Sequence, residues 1–188
     1  MKSVLSILLL IASFLGIGID QSYAQEIIQF GPRDARIEGS IPYTVLGHYK
    51  ASFRVFKGRI VLDKESGQLE SVYLEIEVKS LISSSVWCDR AARSRRLLNA
   101  ARFPKIIFKS NKIIHDDEGF KVEGILQLHG IKRAMIFPFS VKRLNHGLVI
   151  QGAWNIDRRD FNIIWNKYLD HGGILVGNIF TVNWRIKA

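Results

Sequence analysis

Along most of this chain, apolar and polar residues alternate one for one. In residues 70–78, Val72, Leu74, Ile76 and Val78 alternate with Ser71, Tyr73, Glu75 and Glu77. In residues 120–128, Phe120, Val122, Gly124, Leu126 and Leu128 alternate with Lys121, Glu123, Ile125 and Gln127. Leu148, Ile150, Gly152, Trp154 and Ile156 repeat the pattern, as do Phe180, Val182, Trp184 and Ile186 against Thr181, Asn183 and Arg185. A period of two places one set inside a sheet and the other outside. Turn signals separate the runs: Lys64-Glu65-Ser66-Gly67, Asp116-Asp117-Glu118-Gly119, Asn145-His146-Gly147 and His171-Gly172-Gly173. Each sets Gly after polar residues, where a hairpin needs positive φ.

The pattern predicts about eight antiparallel strands, near 36–45, 48–62, 69–79, 105–113, 119–129, 133–143, 147–157 and 178–187. Closing such a sheet removes its edges and leaves an interior for packed side chains or one slender ligand. Residues 134–139, AMIFPF, are apolar on both faces. Their outer face asks for a cover, a second copy of the chain being one, and Pro138 then sits where no ladder donor is needed. Residues 158–177 are too irregular for a strand and are expected to carry loop or a short helix.

One segment breaks the alternation. Residues 87–102, WCDRAARSRRLLNAAR, read as a helix with Ser85 as N-cap and Pro104 as its stop. Trp87, Ala91, Leu98 and Ala101 share a face, and Arg90, Arg93, Arg96 and Asn99 fall mostly elsewhere. Such a helix needs an apolar surface to lie on, and the barrel mouth is the nearest. The expected fold is mainly β: an eight-stranded antiparallel barrel with one amphipathic helix over its mouth.

The N-terminus is expected to lie outside this fold. Lys2 precedes an uncharged apolar stretch over 4–19, and Ser22-Tyr23-Ala24 follows. This is the pattern of a signal peptide at 1–24 cleaved after Ala24, against the alternative of an uncleaved anchor. Residues 25–188 then form one domain in the periplasm or outside the cell, long enough for a core without staples. Cys88 is the only cysteine, which excludes an intramolecular disulfide. Its ordinary role is that of a small buried apolar residue. The formal net charge is +10 with a pI near 9.9. An exported chain meets little nucleic acid, so anionic lipid head groups suit this charge better, solubility being the plainer account.

Catalytic and metal signals are missing. His48, His115, His129, His146 and His171 lack metal-ligand spacing, and no cysteine pair accompanies them. No Gly-x-Ser-x-Gly elbow and no Gly-rich phosphate loop occurs. Asp157 and Asp160 bracket Arg158 and Arg159, which reads as turn chemistry before acid–base catalysis. A binder without catalytic residues, metal or cofactor is the expectation.

Several segments together carry a resemblance. They are Phe53-x-x-Phe56-x-Gly58-x-Ile60, Val78-Lys79-Ser80-Leu81, Phe103-Pro104-x-Ile106-x-Phe108-x-Ser110, Gly124-Ile125-Leu126-Gln127-Leu128-His129-Gly130-Ile131-Lys132, Arg159-Asp160-Phe161 with Ile163, and Val176-Gly177-Asn178. In this order the chain resembles the YceI-like family, exported lipocalin-like barrels associated with polyisoprenoid binding. Ala51 stands where the family has Gly, Asn162 replaces a Gly, and Asn178 replaces an Asp. The resemblance implies an elongated apolar cavity for a long isoprenoid or fatty-acyl chain. The inward-phase residues Phe108, Phe120, Val122, Leu126, Phe137, Phe139, Ile150, Trp154, Val182 and Trp184 are then the expected lining, although each would equally fill an ordinary core. Arg90, Arg93, Arg95 and Arg96 either contact a phosphorylated head group or anionic membrane, or form a solvated helix face. The rival reading is a periplasmic stress or interaction adaptor with a packed, ligand-free barrel and 134–139 as its docking strand.

Overall fold

The computed structural model describes residues 25–43, 47–145, 147–164 and 176–187. Eleven strands form one antiparallel sheet: β1 Gln25–Phe30, β2 Ala35–Tyr43, β3 Gly47–Phe53, β4 Phe56–Asp63, β5 Leu69–Glu77, β6 Leu81–Ile82, β7 Lys105–Asp116, β8 Gly119–Leu128, β9 Ile131–Leu144, β10 Gly147–Asp157 and β11 Ile179–Lys187. Their order is β1-β4-β5-β7-β8-β9-β10-β11-β2-β3-β6. The signal segment 1–24 and the His171-Gly172-Gly173 turn lie outside the described residues.

The class matches the alternation, and the count differs for three reasons. The expected strand at 48–62 is two strands, β3 and β4, on opposite sides of the seam. β6 is a two-residue addition beside β3. β1 was not expected, because only Phe30 among its residues is buried and no alternation marks it. The sheet curls so that β1 continues into β2, and β3 into β4, across the seam. No ladder joins the terminal strands β1 and β6 among the described residues. The chain itself and the segment after β5 close the gap: Arg54 N–H donates to Ser80 O at 3.1 Å and Glu77 N–H to Val55 O at 3.0 Å.

β9 spans the opposite side. Its first part pairs with β8 through Phe139, and its last part pairs with β10 from Ser140 onward. Pro138 sits beyond the end of the β10 ladder, where a residue without N–H is tolerated. A bulge between Ser110 and Lys112 bends β7. The buried Ser110 hydroxyl there accepts the Val72 N–H at 2.8 Å. The connection from β8 to β9 is the two-residue turn His129-Gly130, both at positive φ, a turn the spacing of apolar runs did not announce. Phe103 packs on that turn, with its ring 4.5 Å from the His129 ring, and His129 Nδ1 lies 3.1 Å from Phe161 O. Three of the motifs that carried the resemblance therefore meet at one end of the barrel.

Candidate functional site

Inward side chains from the curled sheet line a cavity of about 150 Å³. That is room for about ten water-sized groups before any wall moves. The wall is aliphatic and aromatic, and among the described residues Ser40 and Tyr49 bring its only hydroxyls. The long side is an aromatic stack. Phe137 lies on Trp154 at 3.9 Å, Trp154 meets Trp184 at 5.3 Å, and Phe108 leans on Phe137 and Trp154 at 5.7 and 5.5 Å. Glycines make room for this stack. A Cβ on Gly124 would sit 2.7 Å from the Phe108 ring, and one on Gly152 would sit 2.9 Å from the Trp184 ring. The indole N–H groups of Trp154 and Trp184 are buried without an acceptor among the described residues. Beside the stack the wall thins: Gly39, in register with Val182 on β11 and Ala51 on β3, lines the cavity, and a Cβ there would meet nothing within 4 Å. Small residues beside large rings leave space open at this row of the sheet.

Eight of the ten residues expected at the lining do face the cavity: Phe108, Val122, Leu126, Phe139, Ile150, Trp154, Val182 and Trp184. Phe137 is fully packed in the core behind Trp154 and does not line it. Phe120 lies at the β7–β8 hairpin, stacked 4.3 Å from the His115 ring, and does not line it either. The alternation gives the side of the sheet but not the depth. The expected lining also left out the wall at β2 and β3, where Ile37, Ile41, Tyr49 and Phe53 stand.

The excursion after β5 leaves the barrel end where Glu77 pairs with Lys105. It is shorter than expected. The helix, α1, spans Val86–Arg93, and Ser85 caps it by accepting the Cys88 N–H at 3.3 Å. Ser94, not Pro104, ends it: its hydroxyl donates to Ala91 O at 2.7 Å, and Asn99 turns the chain at φ 47°. The expected face is also corrected. Trp87 and Ala101 are exposed, and α1 buries Asp89 and Ala92 instead. Leu98, beyond the helix, reaches the cavity wall as the spacing expected of an inward residue.

Asp89 is the reason for that orientation. It accepts the Tyr49 hydroxyl at 2.9 Å, the Ser83 hydroxyl at 2.5 Å and the Ser83 N–H at 3.1 Å. Burial works to raise its pKa, but the bonds from Ser83 and Tyr49 outweigh it and hold the carboxyl below its ordinary value. Tyr49 is pushed up, first by burial and then by the neighbouring carboxylate, the Ser83 bond opposing. The pair latches the helix to a cavity-lining residue. Arg90, Arg95 and Arg96 are exposed, whereas Arg93 is spent on Asp89 O and Lys79 O at 3.1 and 3.0 Å.

The β10–β11 excursion leaves from the same end, opening with the 3-10 turn Arg158–Phe161. Arg158 is fully buried and donates to Gly177 O at 2.8 Å, Asn178 Oδ1 at 3.1 Å, Val176 O at 3.3 Å and Ile163 O. It ties both described ends of that excursion together. Asp157 holds Arg159, which lowers the Asp157 pKa to about 2, while Asp160 offers its carbonyl to Arg133. Asp157 thus bonds Arg159, whereas Arg158 donates to the carbonyl oxygens just named and also feels the Asp157 charge. Among the described residues no group of three or more His, Cys, Asp or Glu could hold a metal ion. His48 and His115 are exposed, and Cys88 is half-buried.

The chain is 27% identical over 137 residues to a UPF0312 protein of Yersinia enterocolitica, an overlap of 69% of this chain and 70% of that one. Two solved structures share its fold. BcnA of Burkholderia cenocepacia superposes with a TM-score of 0.71 at 17% identity, covering 82% of this chain and 96% of that one. A polyisoprenoid binding domain from Saccharophagus degradans, implicated in plant cell wall breakdown, superposes with a TM-score of 0.62 at 12% identity, covering 88% and 100%. The YceI-like domain model matches residues 29–188, nearly all of the described fold, and the chain belongs to that family.

Proposed function

We propose that this protein is an exported carrier that holds one long apolar molecule, a polyisoprenoid or fatty-acyl chain, in its barrel for transport, storage or sequestration. The observation that carries this is the cavity: a partly open space of about 150 Å³ with an almost wholly apolar wall. A packed barrel would have suited an adaptor, so the open interior favours cargo over docking. The polyisoprenoid binding named for the Saccharophagus degradans domain supports an isoprenoid among apolar chains. The signal pattern at 1–24 supports export to the periplasm. Among the described residues the wall holds no acid or base to activate its Ser40 hydroxyl, and its Tyr49 hydroxyl is engaged by Asp89, which supports a binder over an enzyme.

Burial of about ten chain carbons at about 0.8 kcal/mol each supplies about 8 kcal/mol before ordering costs, so micromolar affinity is the upper bound for that length and each further buried carbon adds to it. Arg90, Arg95 and Arg96 beside the mouth suit an anionic head group or an anionic membrane. On the outer face of β9, Ile136 is 59% exposed, which supports a second copy docking there. Titration of delipidated protein with a fluorescent polyene fatty acid, followed by displacement with a short and a long polyprenol, tests the reading. Saturable binding with one site per chain is expected. No binding of any apolar chain would overturn it.

A further inference from the structure

Between Val78 and Lys105 the chain carries seven cations, Lys79, Arg90, Arg93, Arg95, Arg96, Arg102 and Lys105, and one acid, Asp89. The acid is buried under α1, so the outer surface of this excursion presents positive charge alone. No hydrogen bond or ion pair engages the guanidinium groups of Arg90, Arg95 and Arg96 among the described residues, and all three are exposed. At the start of the same helix two apolar side chains stand in solvent: Val86 is 72% exposed and Trp87 59%. The chain could have buried Trp87; Asp89 takes the inward position because Tyr49 and Ser83 hold it there. An exposed indole and a β-branched residue among arginines have one natural surroundings, the interface of a bilayer, where the indole sits at head-group level and the guanidiniums meet phosphates. The placement adds to this. Leu98, in the same excursion, lines the cavity, and Asp89 bonds the cavity-lining Tyr49.

We propose that Val86 and Trp87, ringed by Arg90, Arg95 and Arg96, seat on an anionic phospholipid bilayer, and that the apolar chain passes between bilayer and cavity at this contact. The proposal rests on the chain-binding reading above. Docking through charge alone would leave Trp87 unused. Docking through both places the mouth against the membrane, so that the chain crosses from acyl region to barrel without entering water. Pull on α1 in the bilayer bears directly on the Asp89–Tyr49 latch, which couples docking to the wall of the cavity.

The test uses vesicles of phosphatidylcholine with increasing phosphatidylglycerol, loaded with a fluorescent polyene fatty acid. Binding should strengthen with phosphatidylglycerol and weaken with salt. Acyl-brominated lipid should quench part of the tryptophan emission, and Trp87→Phe should reduce that quenching by removing the indole at the contact. Trp87→Ser should weaken vesicle binding about tenfold, the worth of one large apolar side chain. It should slow uptake from vesicles to the same degree, while uptake of the same fatty acid added from solution stays unchanged. Vesicle binding that is absent, or indifferent to Trp87→Ser, with uptake from solution intact, overturns the docking surface and leaves the carrier standing. Failure to take up the chain from either source overturns both.

Discussion

Gly39 sets the width of the cavity. A side chain there would enter open space, whereas one at Gly152 would strike Pro138 O at 2.8 Å and the Trp184 ring at 2.9 Å. The two glycines therefore give opposite outcomes. Gly39→Leu should fold with an unchanged or higher melting temperature and lose most chain binding, because the new side chain occupies the ligand's volume. Gly152→Ala should cost about 1–3 kcal/mol of stability through overpacking. Thermal melts and fatty-acid titrations of both variants decide this, and a Gly39→Leu protein that still binds would remove β2 from the site. Asp89 gives a pH dependence. Its pKa is lowered in the fold, so its contribution is present above the unfolded value and is lost as pH falls through the folded value. Amides of α1 should thus keep full protection from exchange at neutral pH and lose it in acid, and Asp89→Asn should remove that dependence. Equal protection at both pH values would contradict the latch. At this scale the sequence was legible where a residue's role is its side of the sheet, as at Phe108 and Trp154. It was silent where the role is an absence, as at Gly39, or a partner distant in the chain, as at Asp89 and Tyr49.

Each element was legible to the extent that its ends are local. Ser85 marks the start of α1 because a cap bonds within three residues, and Gly67 and Gly119 mark hairpins because positive φ is a property of one position. The end of α1 was not legible. Ser94 and Asn99 turn the chain so that Leu97 and Leu98 reach the core, a tertiary demand that overrides helical spacing. The split of β3 from β4 has the same origin, since the seam exists only once the sheet has curled. The clamp at Arg158 yields a further prediction. The residue opposite its Nη2 is the neutral Asn178, at 3.1 Å. Asn178→Asp should convert this to a charge-assisted bond and raise stability by about 1 kcal/mol, visible as a higher melting temperature. A lowered melting temperature would show that the carbonyl cage already satisfies the guanidinium and that added charge only costs desolvation.

The whole molecule joins two designs that oppose each other. A curled antiparallel sheet hides its backbone and turns every second side chain inward, which would ordinarily fill the interior. Here aromatic residues stack along β9, β10 and β11, Gly39 and Ala51 beside them add little bulk, and an apolar space stays open. The excess of positive charge, read from composition only as a preference for anionic surroundings, gathers beside α1 at the end of the barrel from which both excursions leave. An open apolar interior has no evident use in a protein that merely docks, so the central claim is that it holds cargo. The most direct measurement is mass spectrometry of an organic extract from the protein, purified without detergent from the cells that make it. The account predicts a stoichiometric isoprenoid or acyl species, absent from Gly39→Leu protein prepared in parallel. A clean extract from protein that also refuses added polyprenols and fatty acids would contradict it.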